Sequence, residues 1–188
     1  SKSMSGGSPL LLGAEAAFAA WMPDGGLIYV LEEALWLRPA SGAPARQVTF
    51  PDSTQKDHAI PHPLPDGRHV LFGLRTADNG SEVRILDLKT GSTWPILDAG
   101  RAHYVPSGHL IYGRNRWGGP MHVRPFDLET LSFVGAEASL SPSMPENSFT
   151  YDSHGVFYEV ETPQTIQTQT KQLYQLFPDG SIGQVLAT

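Results

Sequence analysis

Short apolar segments alternate with polar turns at a regular interval along the chain. Residues 21–25, 63–67 and 104–108 each end in a Pro-Asp-Gly or Pro-Ser-Gly turn, and a looser copy of the turn ends at Gly155. The successive turn glycines are 42, 41 and 47 residues apart. Because proline presets φ and glycine accepts a positive φ, we expect the apolar segments on either side of each turn to pair as a hairpin.

Two more apolar segments follow each hairpin before the next turn begins. The third segments are residues 34–39, 83–88, 121–126 and 172–177. The closing segments are residues 47–50, 94–97, 138–140 and 184–186. Four strands in about 43 residues is the arithmetic of a propeller blade. The sequence therefore predicts an all-β fold, a β-propeller of about four four-stranded blades that stack face to face around a channel.

The repeat also predicts the domain boundaries. Residues 9–188 form the propeller, with blades at residues 16–57, 58–100, 101–144 and 145–188, and residues 1–8 are interpreted as a linker or a cloning remnant. A short helix over residues 14–20 and a fifth-blade hairpin at residues 178–180 stay open as alternatives. Residues 9–13 look like an outer strand of a preceding blade. Because the fourth blade already has four strands, we expect a partial propeller or one that self-associates.

The hairpin repeats resemble those of TolB-type, WD-repeat-like β-propellers, in which Trp-x-Pro-Asp-Gly precedes an apolar strand and a later strand ends in Asp-x-x-x-Gly. Residues 21–30, 64–72 and 83–91 match this pattern. Residues 104–131 look more like propeller regions fused to bacterial Ser/Thr protein kinases, and similar repeats form the lid of prolyl-oligopeptidase-like hydrolases. The fourth repeat departs, with Asp-Ser-His-Gly as its turn and a polar insertion at residues 162–170. The resemblance implies a propeller over residues 16–188 and indicates no activity, because unrelated functions share this fold.

The charge and composition exclude several classes of partner. Acidic residues outnumber basic ones by 19 to 13, for a net charge of −6, and no basic stripe is present. We therefore exclude nucleic acid and the membrane as main partners, since the longest apolar run, residues 16–22, is also too short to span a bilayer. The chain has no cysteine, which removes disulfides, thiol catalysis and thiolate metal sites. The compartment stays open, with the periplasm or another extracytoplasmic location favoured.

Signatures of catalysis are missing from the sequence. It has no Gly-x-Ser-x-Gly nucleophile motif and no phosphate-binding Gly-x4-Gly-Lys-Ser/Thr loop, and Ser107 and Ser153 fall in turns. Residues 150–155 approach the Ser-x-Asp-x-Gly box of sialidase-like propellers but hold one residue too many. We predict no catalytic residue, no enzyme activity and no cofactor.

Three of the seven histidines, His58, His62 and His103, fall in the predicted innermost strands, which line a propeller channel. His58 and His62 are expected to face the same way about 13 Å apart, at about 3.3 Å per residue. That distance is too long for two ligands of one metal, so a metal site would need His103 or a carboxylate from the next blade. We interpret the three histidines as hydrogen-bonding groups of the channel wall and predict no metal.

Trp117 is the best candidate for a recognition surface. It lies with Arg114 and Arg116 in a Gly-rich loop, a composition common at protein contacts. Further aromatic residues expected near the blade ends are Trp94, Tyr104 and Tyr112. Those expected to pack between blades are Trp21, Trp36, Phe72 and Phe126.

These observations favour a non-catalytic binding module, a sensor or scaffold that takes a protein or peptide at the channel mouth. Its candidate binding residues are Trp117, Arg114, Arg116, His58, His62 and His103. The alternative is the accessory propeller of a hydrolase such as a prolyl-oligopeptidase-like enzyme, or a metal-dependent hydrolase that uses the channel histidines. Open strand edges and bare blade faces further predict a homodimer or membership of a larger propeller.

Overall fold

The protein is described by a computed structural model that covers residues 16–115, 119–144, 149–152, 155–162, 170–176 and 182–187. The elements in these residues are β-strands, and they form four antiparallel sheets that follow one another along the chain. In this part of the chain no helix is long and apolar enough to cross a bilayer. The predicted all-β class is confirmed.

Each sheet is a run of neighbouring strands joined by hairpins. Sheet 1 contains β1 (Ala17–Trp21), β2 (Leu27–Leu31), β3 (Ala34–Arg38) and β4 (Arg46–Gln47). Sheet 2 contains β5 (Gln55–Pro63), β6 (His69–Thr76), β7 (Ser81–Asp87) and β8 (Thr93–Leu97). Sheet 3 contains β9 (Arg101–Val105), β10 (His109–Gly113), β11 (Gly119–Asp127), β12 (Ser132–Phe133) and β13 (Ala138–Met144). Sheet 4 contains β14 (Phe149–Asp152), β15 (Gly155–Thr162), β16 (Thr170–Leu176) and β17 (Ile182–Ala187).

The repeated turns join the first two strands of sheets 1, 2 and 3. Gly25, Gly67 and Gly108 have φ values of 87°, 67° and 78°, which an L-residue adopts only at a cost. Each glycine N–H donates to a carbonyl three residues back, at 2.9, 3.1 and 3.0 Å respectively. The sequence thus places a glycine where the backbone of each turn requires one.

The core consists of two apolar layers, each shared between neighbouring sheets. The layer between sheets 1 and 2 contains Ile28, Val30, Leu35, Val70, Phe72 and Leu74. The layer between sheets 2 and 3 contains Leu64, Leu71, Ile85, Leu110, Tyr112 and Phe126. Sheet 2 supplies both layers because successive side chains of a strand point to opposite faces, so Phe72 enters one layer and Leu71 the other. The predicted face-to-face stacking of blades is confirmed.

The sheets follow one another as an arc. The innermost strands β1, β5 and β9 lie side by side, and β13 contacts β15. Between the described strands of sheet 4 and those of sheet 1, contact of comparable extent is absent. The observed architecture is therefore a partial propeller of four blades.

One detail differs from the sequence interpretation, and the structure bears on the two alternatives that the sequence left open. The end of residues 14–20 forms strand β1 rather than a helix. Sheet 3 has five strands, since both β12 and β13 pair with β11. Residues 178–180 lie outside the described residues, and the strands on either side of them, β16 and β17, pair as the last two strands of sheet 4. Residues 9–13 lie outside the described part of the chain.

Candidate functional site

The carboxyl ends of the three innermost strands meet around a pocket of about 540 Å³, here called the mouth pocket. Its lining residues are Ala20, Trp21, His62, Pro63, Pro65, Tyr104 and Pro106. These residues come from β1, β5, β9 and the hairpins that follow β5 and β9. The pocket therefore lies where three blades open onto one end of the channel.

Trp21 dominates the mouth pocket and is 74% exposed. The expectation that Trp21 packs between blades is wrong. Trp21 pairs with Leu27 on the face of sheet 1 that turns away from sheet 2, and the described residues include no sheet that precedes sheet 1. Phe72 and Phe126 are buried between blades as expected.

The mouth-pocket residues recur at one position of the repeat. Trp21, Pro63 and Tyr104 each stand two residues before the proline of the turn. Their partners across the hairpin, near the start of the second strand of each sheet, are Leu27, Val70 and Leu110. Pro65 and Pro106 are turn prolines. Because proline has a fixed φ and lacks an N–H, its ring presents a rigid apolar wall. Much of the pocket is therefore preorganised.

Two of the predicted channel histidines, His62 and His103, lie together, and His62 is one of the residues that line this pocket. Their ring centroids are 5.1 Å apart with the rings edge to face. The His62 Nε2–H donates to the Tyr104 carbonyl oxygen at 3.1 Å. Burial lowers the pKa of His62 to about 4, and burial together with the neighbouring His62 lowers the pKa of His103 to about 3. Both rings are neutral at pH 7, so the residues lining the pocket carry no formal charge.

His58 does not join this pair, and the expectation that His58 and His62 face the same way is wrong. A β-bulge lies between Ala59 and His62, where Ile60 has a φ of 50°. Between the pairs Ala59–Gly73 and His62–Leu71, β5 advances by three residues while β6 advances by two. The extra residue in β5 places His62 on the opposite face of the sheet from His58.

His58 instead packs in the layer between sheets 1 and 2. It is buried against the Phe72 ring at a centroid distance of 5.0 Å, and its Nε2–H donates to Gln55 Oε1 at 2.6 Å. Burial, assisted by the positive charge of Arg84, lowers the pKa of His58 to about 4. His58 is thus a core residue in this structure.

Arg114 lies at the other end of β10, next to Gly113, which pairs with Arg101 at the start of β9. Its guanidinium forms an ion pair with Glu137 at 2.9 Å. The Tyr112 hydroxyl also donates to Glu137, and His122 Nδ1 lies 3.0 Å from the same carboxylate. This arrangement ties Arg114 to the outer part of sheet 3, away from the mouth pocket. Arg116 and Trp117 lie outside the described residues.

The part of the chain that the structure describes contains no metal-binding cluster. Among its residues, no group of three or more histidine, aspartate or glutamate side chains could hold a metal ion. The His62–His103 pair offers only two nitrogen donors, whereas zinc sites usually have at least three protein ligands.

Several solved structures resemble this chain. TolB from Acinetobacter baumannii superposes with a TM-score of 0.61 at 19% identity, over 92% of this chain and 44% of its own. The β-propeller domain of the Trilobed protease from Pyrococcus furiosus gives 0.59 at 16% identity, over 92% and 58%. An oligogalacturonate lyase in complex with manganese gives 0.70 at 12% identity, over 90% and 52%. The fold is that of a TolB-like β-propeller.

This likeness establishes the fold alone. No family model matches the chain, and no curated protein sequence matches it. The chain spans about half the length of these propeller structures. Propellers of different function share one architecture, so the function of this chain has to be argued from its own pocket.

Proposed function

We propose that this chain is a non-catalytic binding module that takes a protein or peptide segment at the mouth pocket. The observation that carries the proposal is the exposed Trp21 indole, which forms one wall of a 540 Å³ pocket with Tyr104 on its lining. Large aromatic rings held open to solvent are the side chains that contribute most to binding energy at protein interfaces. A cavity of this volume accommodates a few side chains of a ligand.

The lining favours an uncharged, extended segment that carries proline or aromatic rings. Trp21 and Tyr104 offer ring faces, and proline-rich segments dock into aromatic-lined grooves with little loss of conformational freedom. The neutral His62 ring supplies polarity without charge. A charged ligand group would lose its hydration here and meet no counter-charge on the pocket wall.

A sensor or scaffold role fits a module of this kind. The pocket has an uncharged wall and no acid–base pair with which to perform hydrolysis, and the resemblance of residues 104–131 to kinase-fused propellers supports a sensing role. We accordingly propose recognition, rather than chemistry, as the task of the mouth pocket.

The test is selection of peptide ligands against the immobilised chain. A displayed library of random 12-residue peptides should enrich sequences with proline and aromatic residues. Trp21→Ala and Tyr104→Ala should each weaken a selected peptide by about tenfold or more, the range of interface hot spots. Phe50→Ala is the matched control, because Phe50 is 73% exposed and does not line the pocket. Peptides that bind both pocket variants as tightly as the original chain would refute the proposal.

A further inference from the structure

The loop between β6 and β7 carries the dipeptide Asn79–Gly80, in which the asparagine side chain can react with the backbone of the next residue. The chain has three asparagines, and Asn79 alone precedes a glycine. Asn79 and Gly80 are both exposed. When the nitrogen that follows an asparagine attacks the side-chain carbonyl carbon, a succinimide ring forms, and a glycine has no Cβ to obstruct the ring closure. Asn79 is therefore the candidate in this chain for such a modification.

The hairpin itself requires both residues of this dipeptide. Asn79 has a φ of 70°, a left-handed conformation that asparagine, aspartate and glycine adopt far more readily than other residues. A Cβ at Gly80 would lie 2.7 Å from the Thr76 hydroxyl oxygen, so a side chain there would displace Thr76. The Asn79 N–H donates to the Thr76 carbonyl, and the Thr76 N–H donates to the Gly80 carbonyl, both at 3.0 Å. The geometry that closes the hairpin thus selects the reactive pair.

The groups around the reacting atoms favour ring closure. The Lys56 ammonium donates to Asn79 Oδ1 at 2.6 Å. This hydrogen bond draws electrons from the amide carbon and stabilises the negative charge that the oxygen gains during the attack, as the donors of an oxyanion hole do. The attacking atom is the Gly80 nitrogen, which lies before the first residue of β7 and whose N–H makes a long hydrogen bond, 3.3 Å to Asp78 Oδ1. Both the electrophile and the nucleophile are therefore placed for the reaction.

We propose that Asn79 is a site of spontaneous modification, at which the Gly80 nitrogen attacks Asn79 Cγ while Lys56 holds the carbonyl oxygen. The new N–Cγ bond forms and the Cγ–Nδ2 bond breaks, so the side-chain nitrogen leaves as ammonia with the proton of the Gly80 N–H. Water then opens the succinimide at either of its carbonyls, which gives aspartate or isoaspartate. Each event replaces an uncharged amide with a carboxylate.

The Asp–Gly dipeptides of the repeated turns differ from this site in the group that would be attacked. Asp66 precedes Gly67, but its side chain is a carboxylate, whose negative charge repels a nucleophile. Asp66 Oδ1 also accepts the N–H groups of Arg68 and His69, both at 2.9 Å. We therefore expect the reaction at Asn79 and not at Asp66.

The modification changes the loop and leaves the mouth pocket untouched. It converts the hydrogen bond between Lys56 and Asn79 into an ion pair, and the isoaspartate product adds one carbon atom to the main chain of the loop. Strand β6 runs antiparallel to β5, so the β6–β7 loop lies at the opposite end of the blade from the mouth pocket. The inference goes beyond the proposed function and does not depend on it.

The test follows the peptides of the folded chain by mass spectrometry during incubation at neutral pH and physiological temperature. The peptide with Asn79 should gain the mass of an amide-to-acid exchange at least about tenfold faster than the peptide with Asn115, which is also exposed but precedes an arginine. The product should elute as two species of equal mass, and the Asn79→Asp variant identifies the aspartate form. Lys56→Met should slow the conversion by about threefold or more, and Lys56→Arg should restore it, because only a cation donates to the carbonyl oxygen.

The same chains unfolded in urea are the control for the role of the structure. Lys56 no longer contacts Asn79 there, so the original chain and Lys56→Met should react at one rate. Equal rates at Asn79 and Asn115 in the folded chain would overturn the inference. A Lys56→Met variant that keeps the urea midpoint of the original chain and reacts as fast when folded would overturn it as well.

Discussion

Acid should destabilise the folded chain at pH values above those at which its carboxylates take up protons. Burial lowers the pKa of His58 and His62 to about 4 and that of His103 to about 3, against about 6.5 in an unfolded chain. The unfolded state therefore binds more protons than the folded state between these values. The free energy of unfolding is then complete above pH 6.5 and falls as the pH drops towards 4.

The size of the effect follows from linkage. At pH 5 an unfolded histidine lies about 1.5 pH units below its pKa, and each unit is equivalent to about 1.4 kcal/mol. Each histidine that stays neutral in the fold then costs about 2 kcal/mol, and three cost up to about 6 kcal/mol if they act independently. The carboxylates whose pKa is lowered in the fold, such as Asp87 paired with Arg68, contribute their own loss only at lower pH.

Urea unfolding followed by tryptophan fluorescence at pH 7.5 and pH 5.0 measures this loss. With a slope of about 2 kcal/mol per molar urea, the midpoint should fall by about 1–3 M at the lower pH. His103→Gln removes one titrating ring and should reduce the difference between the two pH values by about a third. Equal midpoints at pH 7.5 and 5.0, or a higher midpoint at pH 5.0, would refute the reasoning.

Three further predictions concern the packing of the blades. Gly73→Ala should destabilise the fold by about 1–3 kcal/mol in urea unfolding, because its Cβ would lie 2.6 Å from the Gly100 carbonyl oxygen; an unchanged midpoint would contradict this close approach. Leu71→Ala, fully buried between sheets 2 and 3, should cost about 2–5 kcal/mol in the same assay, and a loss below 1 kcal/mol would argue against a shared layer there. Arg68→Met should lower the thermal unfolding midpoint, because it removes two hydrogen bonds to Asp87. An unaltered midpoint would mean that the Arg68–Asp87 pair does not stabilise the β6–β7 hairpin.

The strand order and the stacking could be predicted from the sequence because both depend on local, repeated signals. A turn with proline and glycine fixes each hairpin, and alternation along β6 assigns its residues to two layers. The third and fourth segments of each repeat then follow from chain order. The extra strand β12 could not be predicted, because it consists of Ser132 and Phe133 alone and two residues are too few to show an alternating apolar pattern.

The site was harder to predict because it depends on register and on what covers a face. Uniform strand geometry placed His58 and His62 on one face, whereas the bulge at Ile60, next to Pro61, separates them. Proline in a strand is itself a signal of such an irregularity. Trp21 is exposed because the described residues include no sheet before sheet 1. The sequence around Trp21 contains no signal that this face of the sheet is uncovered.

One sequence signal for the mouth pocket was available. The position two residues before the turn proline carries a ring in three repeats, as Trp21, Pro63 and Tyr104. Tyr151 holds the equivalent backbone position in the fourth repeat, where it pairs with Val156 as Tyr104 pairs with Leu110. A ring-bearing position repeated at one end of every blade indicates a common surface, in contrast to core positions, which alternate along the strands.

The indole N–H signals of the chain provide the most direct test of ligand binding at the mouth pocket. The chain has four tryptophans, so a ¹⁵N correlation spectrum contains four indole signals, and Trp21→Phe identifies one of them. Titration with a selected peptide should shift the Trp21 signal and leave that of Trp36 in place, because the Trp36 indole donates to the Leu31 carbonyl within sheet 1. A peptide that binds while the Trp21 signal stays fixed and another indole moves would contradict the account.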